Sequence, residues 1–125
     1  MDVEKQIKYW KDGAISDLEA AEALIQNRKF IQGLFFCHLV IEKAIKAHVT
    51  KVKEEVPPRT HNLNYLSERA EIEIPIDMRN FFGILTRFQL EGRYPDDKPE
   101  IPSLSECTKH LAKTKEILEW LIKKL

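Results

Sequence analysis

Residues 30–53 read FIQGLFFCHLVIEKAIKAHVTKVK, and the fold turns on this stretch. Phe30, Leu34, Cys37, Ile41, Ala44 and Ile45 recur mostly at three- and four-residue spacing, the period of one helix face. Phe35, Phe36, Leu39 and Val40 cover much of the remaining circumference. A helix that is apolar nearly all round belongs at the centre of a bundle, contacted from several sides. Val56-Pro57-Pro58 stops it, because the residue before a proline is pushed out of helical geometry. The spacing thus predicts a helix over Phe30–Lys53.

Upstream, Ile7, Trp10, Ala14, Leu18, Ala21 and Ile25 place one apolar face on a helix from Val3 to Gln26. The polar break Asn27-Arg28-Lys29 is short enough to make the first two helices antiparallel neighbours. Downstream, Thr60 is expected to cap a third helix from His61 to Glu71, with Leu63, Leu66 and Ala70 facing inward. Ile72-Glu73-Ile74-Pro75-Ile76 alternates, but a lone strand has no partner, so it reads as an extended connector. Asp77 is expected to cap a fourth helix running to Leu90, with Met78, Phe81, Phe82, Leu85 and Phe88 inward and Gly92 as its stop. Ser103 and Glu106 form a capping box that opens the last helix, whose expected inward residues are Leu104, Cys107, Leu111, Leu118 and Ile122. The sum is an all-α, up-and-down bundle of four to five helices, with residues 1–125 expected to form one domain. Trp120 falls opposite that last stripe, beside Ile117, and reads as an exposed patch suited to a homodimer contact; packing on the first helix is the alternative.

Composition narrows the function. Lys and Arg number 20 against 20 Asp and Glu, a formal net charge of zero. Non-specific nucleic-acid binders draw most of their affinity from neutralising phosphates and carry a clear excess of positive charge. No apolar run reaches membrane-spanning length, and the charged start Met-Asp-Val-Glu-Lys-Gln-Ile has no signal-peptide core, so a cytoplasmic protein without membrane contact is expected. Cys37 and Cys107 sit among apolar neighbours and read as reduced core residues.

Two constellations stand out. His38, Glu42 and Lys46 lie four residues apart on the apolar helix, a slowly rotating polar stripe in which Glu42 and Lys46 have the favourable acid-first order. It is either a structural network that fixes helix register or a ligand-facing stripe at the bundle's edge. Asp17, flanking the first helix's apolar face, is placed to reach His38 or Lys46. The second constellation is Arg59-Thr60-His61 at the expected start of the third helix, where free N–H groups favour anions. Arg93 and Tyr94 add a guanidinium fork and a stacking ring, a set suited to a phosphate or a nucleotide. No glycine-rich phosphate loop occurs. Cys107 and His110 have no matching second pair, so no metal or other cofactor is expected.

The runs Phe35–Ala47, Pro57–Leu63 and Arg93–Asp96, with Trp10, Ala14, Asp17 and Ala21 ahead of them, resemble the HEPN domain family of small prokaryotic proteins along nearly the whole chain. The resemblance implies a helical bundle, commonly homodimeric, often encoded beside a minimal nucleotidyltransferase in toxin–antitoxin or nucleotide-handling pairs. It also implies nucleotide binding, with His38, Glu42, Lys46, His61, Arg93 and Tyr94 at motif positions. Many HEPN proteins are metal-independent ribonucleases that use an Arg followed four to six residues later by a His. Here Arg28 precedes His38 by ten residues, Arg59 precedes His61 by two and Arg93 precedes His110 by seventeen. That departure argues against this ribonuclease route and leaves no catalytic residue assigned. Cleavage of RNA from a non-standard site and a purely structural interaction subunit stand as alternatives.

Overall fold

The computed structural model describes residues 1–89 and 100–125. The chain forms α1 (Val3–Gln26), α2 (Phe30–Lys53), α3 (Leu63–Arg69), α4 (Ile76–Thr86) and α5 (Leu104–Lys124), with no strand among the described residues. The first two helices have the bounds that their periodicity predicts. Asp2 caps α1 by accepting from the Lys5 backbone N–H at 3.1 Å. Between α1 and α2, Arg28 takes a left-handed φ of 61°, which lets three residues reverse the chain. The register of the hairpin is antiparallel, since Gly13 abuts the Lys43 side chain and Gly33 abuts Ile25.

α2 is the hub and touches each of the other four helices. Leu34, Ile41 and Ile45 are fully buried and join Leu66, Phe82, Leu85, Ile117 and Leu121 in the core. Cys37 and Cys107 are free thiols inside it, and burial pushes the Cys37 thiol up to about 11, well away from reactive thiolate behaviour. The buried hydroxyls of Thr50, Ser67 and Thr114 donate to carbonyls four residues upstream, so none is left unsatisfied.

The short elements differ from expectation at their ends. α3 begins at Leu63 rather than His61, because Asn62 is the cap and accepts from the Tyr65 N–H at 3.0 Å. Thr60 instead receives the Asn62 N–H at 3.2 Å and shapes the approach to the helix. Glu71 then closes α3 with a left-handed φ of 56°. α4 starts at Ile76 behind Pro75, whose fixed φ suits a helix entry, and ends at Thr86. Asp77 lies in its first turn and pairs with Lys113 of α5 at 2.7 Å instead of capping. Leu90 and Gly92 lie outside the described residues. The inward residues expected of α4 are all buried.

On α5 the capping box of Ser103 and Glu106 is present. Its inward stripe is rotated from the expected one. Leu104 is 46% exposed, while Ile117 and Leu121 are fully buried beside Cys107 and Leu118. Trp120 is half-buried against the core and covered by the Lys124 ammonium, 4.7 Å from its ring centre. The expected exposed Trp120–Ile117 patch is therefore absent: the α5 stripe follows 107, 114, 117/118 and 121, which carries Ile117 inward.

Candidate functional site

The polar stripe of α2 folds into one buried cluster. Glu42 is its centre, with only 5% of its side chain exposed. Its Oε2 accepts from Lys46 Nζ at 3.0 Å, the i,i+4 pair that the helix spacing provides. Its Oε1 lies 2.9 Å from His61 Nδ1 on the segment that leads into α3. A carboxylate only accepts, so His61 Nδ1 carries the proton. His38 Nδ1 lies 3.6 Å from the same oxygen. Two imidazoles thus face one carboxylate oxygen, and an ammonium holds the other.

Lys46 is fixed from two sides. Besides Glu42, its Nζ lies 5.3 Å from the centre of the Trp10 ring on α1, a cation–π arrangement. The sequence places Trp10 on an apolar face and in the family-like pattern of the first helix, without a contact to Lys46; the signal that could have found the contact is the hairpin register, which sets residue 10 opposite residue 46. Asp17 reaches neither His38 nor Lys46. It pairs with Lys43 at 2.8 Å, one turn away from the cluster.

His38 is fully buried, and neither ring nitrogen makes a hydrogen bond of good geometry. Burial lowers its pKa from the ordinary 6.5, while Glu42 and the His61 backbone pull the other way. Most buried polar side chains find a well-formed partner, so an imidazole held only loosely between the Glu42 carboxylate and the His61 backbone is a notable polar feature of the core.

The seven candidate residues therefore divide. His38, Glu42, Lys46 and His61 converge, and His61, with 38% of its side chain exposed, is the member that meets solvent. Arg59 is exposed two residues before it. Arg93 and Tyr94 lie outside the described residues. The Arg59-Thr60-His61 segment precedes α3 rather than opening it, so the expected helix-terminus contribution at His61 is not present there. Lys46, engaged by Glu42 and Trp10, is not an available phosphate ligand. Among the described residues, no three His, Cys, Asp or Glu side chains converge in a way that could hold a metal ion.

A cavity of about 830 Å³ lies elsewhere, lined by His48, Lys51, Val52, Ile72, Ile74 and Lys124 among others. Its polar groups already serve the fold. His48 Nε2 donates to the Leu121 carbonyl at 2.8 Å, and Lys51 donates to that of Leu125 at 2.7 Å, capping the end of α5. The buried His38 imidazole, beside Glu42, lacks a well-formed hydrogen bond, so the cluster is the better candidate site.

A family model described as the HEPN domain matches residues 7–125. The crystal structure of TT1696 from Thermus thermophilus is similar to this chain, with a TM-score of 0.79 and 20% identity over 96% of this chain and 98% of that one. At that identity the likeness speaks to the fold. No curated protein matches the chain. No helix among the described residues is long and apolar enough to cross a membrane.

Proposed function

Because this chain belongs to the HEPN domain family, we propose that it is a nucleotide-binding HEPN subunit acting with a small nucleotidyltransferase. The observation that carries this reading is the fully buried His38, without a well-formed hydrogen bond, beside a carboxylate shared with half-exposed His61. An ionised cluster on an apolar helix costs desolvation energy that packed hydrophobic residues would avoid. Its retention at the edge of the segment carrying Arg59 and His61 fits a site that meets an anionic group from solvent. The phosphates of a nucleotide supply such a group, and Arg59 supplies a guanidinium able to receive it. The test is calorimetric titration of ATP and the other nucleoside triphosphates, alone and with a co-purifying nucleotidyltransferase. Binding weakened at least tenfold by Arg59→Ala supports the reading; absence of binding to any nucleotide in either setting overturns it.

One observation favours a second reading, a metal-independent ribonuclease. The Glu42 carboxylate lies 2.9 Å from His61 Nδ1, a carboxylate–imidazole pairing of the kind that orients a general base. That reading expects cleavage of RNA in the presence of a chelator, lost in His61→Ala. Intact RNA after hours with the purified protein removes it.

A further inference from the structure

We propose that the cavity of about 830 Å³ beside the Ile72–Pro75 segment takes an extended peptide of a partner protein, with apolar residues alternating around a basic one. The proposal is independent of the nucleotide reading, since this cavity and the Glu42 cluster share no residue. Its starting point is the main chain. Along Ile72, Glu73, Ile74 and Pro75 burial alternates, half-buried, exposed, buried and exposed, as in an extended chain lying on a core. The Ile72 N–H donates to the Ser67 carbonyl at 3.1 Å, and the Pro75 carbonyl accepts from the Arg79 N–H at 3.0 Å. Between them the N–H groups of Glu73 and Ile74 and the carbonyls of Ile72, Glu73 and Ile74 make no hydrogen bond among the described residues. An unpaired extended segment is what strand addition uses. A two-stranded ribbon is marginal in water unless it packs on a helix. Here α2 and α5 supply that surface through His48, Val52 and Lys124, which line the same cavity.

The lining side chains fix what the added strand carries. Val52 and Ile76 line the cavity and are exposed, so apolar side chains at alternate positions of the peptide have surface to cover. The cations at the rim are taken, Lys51 by the Leu125 carbonyl and Lys124 by the Trp120 ring. Glu71 lies 3.6 Å from Lys53. Glu73 is the lining charge without an ion pair among the described residues, and its complement is a Lys or Arg side chain. A second copy of this chain is a poor occupant. Antiparallel self-pairing centred on Glu73 sets two carboxylates opposite each other, and Pro75 has no N–H to donate. A small polar ligand finds little to hold it, because the side-chain donors already serve the fold.

The experiment follows the fluorescence anisotropy of capped, labelled peptides titrated with the full chain. The probes are Ser-Thr-Val-Lys-Val-Thr-Ser, the same peptide with Glu in place of Lys, and the Lys peptide N-methylated at its central amides. The Lys peptide is expected to bind about fivefold tighter than the Glu peptide, the effect of exchanging a repelled cross-strand partner for an attracted one. Glu73→Lys, at an exposed position, is expected to reverse that order. N-methylation removes main-chain donors and is expected to weaken binding about tenfold. Ile76→Glu, also at an exposed position, is expected to weaken both unmethylated peptides. No saturable binding of the Lys peptide, equal binding of the Lys and Glu peptides, or an order unchanged in Glu73→Lys overturns the proposal. So does indifference to N-methylation or to Ile76→Glu. A wild-type dimer in sedimentation that Ile76→Glu converts to monomer gives the groove to a second copy and overturns it as well. The nucleotide titrations are unaffected by any of these results.

Discussion

At the scale of single residues, Glu42 is the residue on which the site and the core both depend. Glu42→Ala leaves the Lys46 ammonium, 9% exposed, with only the Trp10 ring for company. Breaking one side of a buried pair costs about 3–5 kcal/mol, to be read from urea denaturation at pH 7. The double change Glu42→Leu with Lys46→Met removes both charges and is expected to cost much less, since nothing is left uncompensated. The histidines set a pH dependence. Burial is the largest cause lowering the pKa of His38, His48 and His110 from 6.5. The unfolded chain therefore takes up protons first, and stability falls as pH drops below 6.5 toward the folded-state values. The melting temperature is expected to be lower at pH 5.5 than at pH 7.5 by scanning calorimetry, and the difference to shrink in His38→Gln.

At the scale of elements, two glycines in helices give opposite expectations. A Cβ on Gly33 would meet Ile25 Cγ1 at 2.6 Å, where α1 and α2 approach closely. Gly33→Ala should destabilise by about 1–3 kcal/mol through overpacking. A Cβ on Gly83 of α4 meets nothing within 4 Å, so Gly83→Ala should stabilise by about 0.5–1 kcal/mol through helix propensity. Chemical denaturation of both variants checks the pair. The long helices were legible because 24 residues of apolar spacing outweigh any one end signal. The short ones were less so, because their ends depend on which of two neighbouring polar residues takes the cap. Asn62 displaces Thr60 at α3, and Pro75 precedes Asp77 at α4. On α5, Leu111 and Ile122 are only half-buried and flank the true stripe, so hydrophobicity alone did not fix its phase. The His38–Glu42–Lys46 part of the site could be read from i,i+4 spacing. The contact of Trp10 with it was within reach of the hairpin register, whereas that of His61 was not, since it depends on how the lead-in to α3 lies against α2.

At the scale of the molecule, equal numbers of acidic and basic residues leave the chain with no net charge. Such a surface suits one small anion better than a long polyanion. Treating residues 1–125 as one domain predicts a single unfolding transition, with circular dichroism and tryptophan fluorescence tracing the same curve. The homodimer implied by the family predicts twice the chain mass in light scattering. With Ile117 buried and Trp120 packed on the core, Trp120→Glu is expected to lower stability in proportion to lost packing rather than to split a dimer selectively. The most direct measurement of the site is calorimetric titration of ATP into the wild type and His61→Gln at pH 6.5. Saturable binding by the wild type, weakened at least tenfold in a variant with an unchanged melting temperature, is the predicted result. Equal binding by the two proteins, or none by the wild type, would contradict a nucleotide site at Glu42 and His61.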